Sequence, residues 1–192
     1  MNCSKQLLRR QFLHQRRSLA IDLWQSQSEL LGDRLIECPQ FIAAQTILAY
    51  QSCRQEPSLD YLFTHTDKQW GLPRCVEGEL MWHRWQTSAG LVAGRYGIRE
   101  PDPKAPSLIP GDIDLMLVPA VAIDRDGYRL GYGGGYYDRL RADPLWRKIP
   151  TIGIVFDFAY VDRLPIEPWD LPLDAVCTEL GVTTSRGNAP TF

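Results

Sequence analysis

The chain has 192 residues, with 21 Lys+Arg against 23 Asp+Glu, a formal net charge of −2 and 44% hydrophobic residues. A chain of this size forms one domain, two at most, and buries roughly 70% of its unfolded surface, which excludes wholesale disorder. The near-neutral balance and a pI near 5.9 exclude a protein whose main partner is nucleic acid or an anionic membrane.

The charge is unevenly spread. Residues 1–17 hold Lys5, Arg9, Arg10, Arg16 and Arg17 and no acid, a local +5 on a remainder of −7. No stretch approaches the roughly 20 apolar residues of a membrane span, and residues 1–30 hold no continuous signal-peptide core. A cytoplasmic protein is therefore expected. An Arg-rich, acid-free start also fits a transit peptide, but the segment runs straight into a second helical pattern without a cleavage-like break.

Ser4 is expected to cap a helix over residues 5–17, with Leu8 and Phe12 one turn apart, and a second amphipathic helix follows over 22–37. After Pro39 the texture changes. Residues 46–50 (TILAY) form a short apolar run, 58–66 reads as helical, and 70–74 and 80–85 read as extended. Residues 97–111 hold Pro101, Pro103, Pro106 and Pro110, which predicts a surface loop or a hinge between lobes. A fully apolar strand over 115–118 ends at Pro119, and a turn at Asp126-Gly127 leads to a glycine-rich run. A helix over 136–142, a buried strand over 151–156, a short helix over 160–164 and a last strand over 175–178 complete the pattern. Short apolar strands alternating with helices indicate an α/β fold with a largely parallel sheet. One domain over residues 1–182 is expected, followed by a frayed polar tail over 183–192.

The five cysteines, Cys3, Cys38, Cys53, Cys75 and Cys177, are odd in number and never form a C-x-x-C pair. They read as reduced thiols rather than a disulfide framework or a zinc site. His14, His65 and His83 are equally scattered, which gives a metal cluster or a catalytic triad little support.

The most informative stretch runs from Arg129 to Asp138 (RLGYGGGYYD), with four glycines in five positions between a strand and a helix. Glycines allow positive φ and let backbone N–H groups converge on an anion, to which a helix N-terminus adds its own donors. Arg129 places a cation at the entrance. Asp138 can hold a magnesium ion or simply complement the helix N-terminus. There is no G-x-x-x-x-G-K-[ST], and Tyr136 stands where a dinucleotide fingerprint requires its third glycine. A G-x-S-x-G motif is absent as well.

Lys5 and Arg9 lie one helical turn apart, a spacing that grips adjacent phosphate oxygens or makes a solvated basic face. Glu56, before Pro57, can bind a polar ring edge or sit as an exposed loop acid. Met81, Trp82, Trp85 and Tyr96 make either a flat wall for an aromatic ligand or core packing. Asp174, before the last strand, is a second magnesium-facing carboxylate or a plain turn residue.

Together these pieces resemble the 5-formyltetrahydrofolate cyclo-ligase family, also called 5,10-methenyltetrahydrofolate synthetase. The resemblance rests on Lys5 with Arg9, Leu-Pro-Arg at 72–74, Tyr-Gly-Ile-Arg-Glu-Pro at 96–101, Arg129 to Asp138, and Leu-Pro-Leu-Asp at 171–174. It implies a three-layer α/β/α domain that uses ATP and Mg2+ to convert 5-formyltetrahydrofolate to 5,10-methenyltetrahydrofolate, releasing ADP and phosphate. Carried over by position, Lys5, Arg9 and the run Arg129, Leu130, Gly131, Tyr132, Gly133, Gly134, Gly135, Tyr136 and Tyr137 would hold ATP. Arg9, Gln51, Glu56, Tyr132, Gly133, Gly134, Gly135 and Tyr136 would meet the folate. Asp138 and Asp174 would hold magnesium, with Arg129 and Tyr136 as catalytic groups. Gly134 stands where some relatives carry lysine, so Arg129, Lys5 or Arg9 would supply the γ-phosphate contact instead. The resemblance implies a monomer acting on a small-molecule folate, with no nucleic-acid or membrane partner.

Two other readings compete. A sugar-phosphate isomerase on a similar layered fold would use the glycine loop for substrate phosphate, without ATP. An RNA-binding module would use the basic start and the tryptophans, against the repulsion of an acidic remainder.

Overall fold

In the strand β6 (Leu115–Pro119), Leu115 and Leu117 enter one hydrophobic core while Met116 and Val118 enter another. This is the period-2 alternation of a strand buried on both faces. The same division holds in β1 (Thr46–Leu48), where Ile47 and Leu48 separate, and in β11 (Ala175–Thr178), where Val176 departs from Ala175 and Cys177. The computed structural model describes residues 3–186. Its seven-stranded sheet runs β12-β11-β9-β6-β1-β2-β3, with β2 (Gln69–Val76), β3 (Glu79–Trp85), β9 (Thr151–Ile154) and β12 (Gly181–Thr184) as the remaining members. The inner pairings, β2 with β1, β1 with β6, β6 with β9 and β9 with β11, are parallel. An antiparallel strand closes each edge, β3 on β2 and β12 on β11.

Helices cover both faces, the expected three-layer α/β/α arrangement. On one side α2 (Ile21–Ile36), α3 (Pro39–Ala43) and α4 (Asp60–His65) contribute Leu31, Leu35, Phe41, Leu62 and Phe63 to the first core. On the other, Phe12 of α1 (Cys3–Arg17) and Leu140 of α5 (Tyr136–Ala142) join the second core. This layer also holds the small sheet of β7 (Ala122–Asp124), β8 (Arg129–Leu130) and β10 (Tyr160–Val161). The short helix α6 (Pro144–Arg147) starts at Asp143, whose side chain caps Leu145 N.

Several expectations are corrected. Helix α1 already includes Cys3, so Ser4 lies inside it rather than capping it. Residues 160–161 form β10, paired with β7, instead of opening a short helix. The proline-rich segment is for the most part the expected surface loop, residues 101–109 forming turns and irregular backbone. It includes β5 (Arg99–Glu100), paired with β4 (Val92–Ala93), and then runs along the outer edge of β3. There Arg84 N donates to Pro106 O and Leu108 N to Trp82 O, both at 2.8 Å, which blunts the sheet edge. The tail does not begin at 183: Thr183 and Thr184 pair with Val176 and Ala175, and Ser185 is buried. Residues 187–192 lie outside the described residues.

Candidate active site

The parallel strands deliver their C-terminal ends to one side of the sheet, where ligands of open α/β folds bind. A cavity of 960 Å³ opens there, walled by α1, the segments after β1 and β6, the hairpin loop before β5, the glycine loop and residues 167–170. Helix α1 turns part of its basic character inward. Arg9 Nε donates to Gly131 O at 2.7 Å, Lys5 Nζ pairs with Asp170 Oδ2 at 2.7 Å, and buried Arg16 donates to Arg54 O, Ala120 O and the Tyr132 hydroxyl. The +5 of the N-terminal segment is thus partly spent on positioning the cavity wall.

The glycine loop connects β8 to α5. Gly133 (φ 98°) and Gly135 (φ 69°) occupy the left-handed region that a side chain disfavours. Among the described residues, the amides of Gly133, Gly134 and Gly135 donate to no protein acceptor. All three glycines line the cavity, and neighbouring amides without protein acceptors suit an anion. Arg129 flanks the row, its guanidinium bound to Asp138 Oδ1 at 2.5 Å and lying over the Tyr137 ring at 5.3 Å. Burial pushes the Tyr137 phenol up and keeps it protonated.

At the other end Glu56 is only 3% exposed. Its Oε1 accepts from the Tyr132 hydroxyl at 2.8 Å, and its Oε2 from Cys53 N at 3.0 Å. An ionised carboxylate has acceptor sites left after these two bonds. Gln51 lines the same wall. The Tyr132 ring is flanked by Arg16 and Arg54. Its phenol is pushed up by burial and then by the Glu56 charge, so it donates to the carboxylate rather than ionising. The Cys53 thiol, raised by the same causes, goes up to about 11.

The Tyr96 and Tyr136 hydroxyls bond each other at 2.9 Å at the cavity wall. Tyr96 has φ 61°, unusual for a residue with a side chain. Glu100 holds this loop to the sheet, accepting from Cys75 N and Arg95 N and pairing with Arg74. Trp82 and Trp85 are buried core residues, and Trp85 stacks edge-on with Phe63. Of the four residues considered as an aromatic wall, only Tyr96 lines the cavity.

Every expected ligand-contacting residue lines this cavity. The exception among the site residues is Asp174. Its Oδ2 accepts from Thr151 N at 2.8 Å and Thr151 Oγ1 at 2.7 Å, fastening β11 to β9. Asp170, four residues earlier, is in the wall instead, beside Glu167 and Trp169. Sequence reading passed over these three and Cys53, Cys75 and Glu100. Glu100 lay within the quoted block 96–101, whereas Asp170 and Trp169 had no local signal.

A model of the 5-formyltetrahydrofolate cyclo-ligase family matches residues 1–179. The chain belongs to this family. The 5-formyltetrahydrofolate cyclo-ligase of Escherichia coli (strain K12) is 31% identical over 171 residues, covering 85% of this chain and 93% of its own. That of Mycolicibacterium smegmatis is 32% identical over 189 residues, covering 91% and 93%. Among solved structures, the Aquifex aeolicus 5,10-methenyltetrahydrofolate synthetase has a TM-score of 0.84 at 33% identity, covering 98% of this chain and 96% of the other. The chain is an enzyme of the ligase class, as the names of these cyclo-ligases state. No helix among the described residues is long and apolar enough to cross a membrane.

Proposed function

We propose that the chain closes 5-formyltetrahydrofolate to 5,10-methenyltetrahydrofolate, using ATP and Mg2+ and releasing ADP and phosphate. The observation that carries this reading is one cavity with two chemically distinct ends. Lys5, Arg9, Arg129 and three free glycine amides line one, and Glu56, Gln51 and Tyr132 line the other. The first suits a triphosphate, and the second suits a polar heterocycle that offers N–H donors.

Ring closure requires a poor leaving group, the formamide oxygen, to be activated. In the proposed sequence that oxygen attacks the γ-phosphate and ADP leaves. N10 then adds to the formyl carbon, and expulsion of phosphate leaves the methenyl bridge. Positioning and charge neutralisation dominate phosphoryl transfer, so cations and backbone donors suffice without a Ser or Cys nucleophile. Lys5, Arg9 and Arg129 offset the phosphate charge, Tyr136 donates from its hydroxyl, and Glu56 orients the heterocycle. The fit for magnesium is partial on the protein side. Among the described residues no group of three or more His, Cys, Asp or Glu side chains could hold a metal ion, but one or two carboxylates together with phosphate oxygens and water satisfy Mg2+. Glu56 and Glu100 each have both oxygens engaged, whereas Asp138 bonds through Oδ1 and Asp170 through Oδ2 alone, which makes these two, with Glu167 beside them, the carboxylates suited to it. Asp174 is set aside for its bonds to Thr151. Bound there, Mg2+ would supply charge neutralisation on the transferring phosphoryl group.

Absorbance at the methenyl chromophore tests the reading directly. Product is expected only when 5-formyltetrahydrofolate, ATP and Mg2+ are all present, and formyl oxygen-18 is expected in the released phosphate. Label retained in the folate would refute the phosphorylation step. A sugar-phosphate isomerase has no use for Lys5 and Arg9, so under that reading Lys5→Ala and Arg9→Ala would leave nucleotide binding unchanged.

A further inference from the structure

Six aromatic residues line the cavity: Tyr50, Tyr96, Tyr132, Tyr136, Tyr137 and Trp169. Five are already engaged. Tyr50 is buried and donates to Pro57 O, the Tyr132 ring is flanked by Arg16 and Arg54, and Tyr137 meets Arg129 and Trp82. Tyr136 meets Arg139 and Tyr96, and Tyr96 also meets Arg95. Trp169 differs from all of them. The residue is 67% exposed, and its indole has no ring or cationic partner among the described residues.

Trp169 is nonetheless held in place. Asp170 N donates to Glu167 O at 3.0 Å, and Asp170 Oδ2 accepts from Glu167 N at 2.7 Å, which closes a tight turn with Trp169 inside it. The same oxygen anchors the turn to Lys5 of α1 at 2.7 Å. The largest aromatic face on the cavity wall is therefore presented open, on a fixed turn, at the triphosphate end rather than beside Glu56. An open indole next to phosphate-binding cations is a stacking platform for a heterocyclic base.

We propose that Trp169 stacks on the purine base of the nucleotide and makes the cavity prefer a nucleoside triphosphate over a bare polyphosphate. This assignment rests on the nucleotide reading of the cavity given above. Phosphate oxygens are held by Lys5, Arg9 and the glycine amides, while the base adds affinity through Trp169.

The test compares ATP with inorganic tripolyphosphate in calorimetric titrations of wild-type protein, Trp169→Ala and Trp169→Phe. Trp169→Ala is expected to weaken ATP binding about tenfold, near 1.4 kcal/mol, and to leave tripolyphosphate unchanged, while Trp169→Phe keeps ATP affinity within about threefold. ATP should also shield Trp169 from acrylamide quenching, and this shielding should be absent with tripolyphosphate. Equal loss for both ligands, or no loss for ATP, would overturn the assignment. Wild-type protein that binds tripolyphosphate but gains nothing from the base would overturn it as well. Wild-type protein that binds neither ligand would instead refute the nucleotide reading itself.

Discussion

Replacing Glu56 by glutamine removes one charge and keeps the shape. Both carboxylate oxygens are occupied, Oε1 by the Tyr132 hydroxyl at 2.8 Å and Oε2 by Cys53 N at 3.0 Å, in a residue 3% exposed. Glutamine has one acceptor oxygen, so one of the two donors must face an amide N–H group instead. The Tyr132 hydroxyl already accepts from Arg16, and turning it around is not free. Loss of one bond to a charged acceptor, with a donor left buried, costs about 1.5–3 kcal/mol. For a chain of this size that lowers Tm by about 3–12 °C. Circular dichroism melts of Glu56→Gln and wild type read this directly, and folate affinity should fall in parallel. A Tm that rises would refute the reasoning, because the desolvation of the carboxylate would then exceed what its two bonds return. The residue would be kept for its ligand and not for the scaffold.

Four further outcomes are expected. Cys53, raised to about 11 from an ordinary 9.0, should react with iodoacetamide at pH 8 about 100-fold more slowly than a free thiol, since only the thiolate reacts. Site-resolved mass spectrometry checks this, and Glu56→Gln should speed the reaction because its charge is the second cause of the rise after burial. Gly135→Ala puts a side chain at φ 69° with its Cβ 2.7 Å from Arg139 Nη1, and a urea denaturation curve should show a loss of about 1–2 kcal/mol. Asp174→Ala should lower the melting temperature by removing the Thr151 bonds while leaving the Mg2+ dependence of cyclisation unchanged. Asp138→Asn and Asp170→Asn should each raise the Mg2+ concentration needed by at least about tenfold.

The parallel core of the fold was legible because the segments that hold β1, β6 and β9 are runs of apolar residues long enough to show burial on both faces. TILAY, LMLV and TIGIVF are of this kind. The elements that were misread are short and take their state from a neighbour. Residues 160–161 are a strand only because β7 offers Ile123 and Asp124 as partners. The pairing of β12 depends on a turn through Glu179 and Leu180, with polar threonines that look like tail. The glycine loop and the Lys5, Arg9 pair were legible because their chemistry is local, one helical turn or ten residues. Asp174 kept two readings for the opposite reason. A carboxylate before a strand reads the same whether it meets a ligand or Thr151, and only the register of β11 on β9 decides. Trp169 and Asp170 enter the cavity through one ion pair across most of the chain, which no local pattern encodes.

That ion pair, Lys5 to Asp170, joins residues separated by 165 positions. On a ribosome adding about 5–20 residues each second, helix α1 would be made roughly 8–33 s before its partner exists. Through that interval the basic helix lacks the acidic turn, and the glycine loop that Arg9 meets is itself made only in the last part of it. The wall of the cavity is therefore completed only in the final stage of the chain's own synthesis.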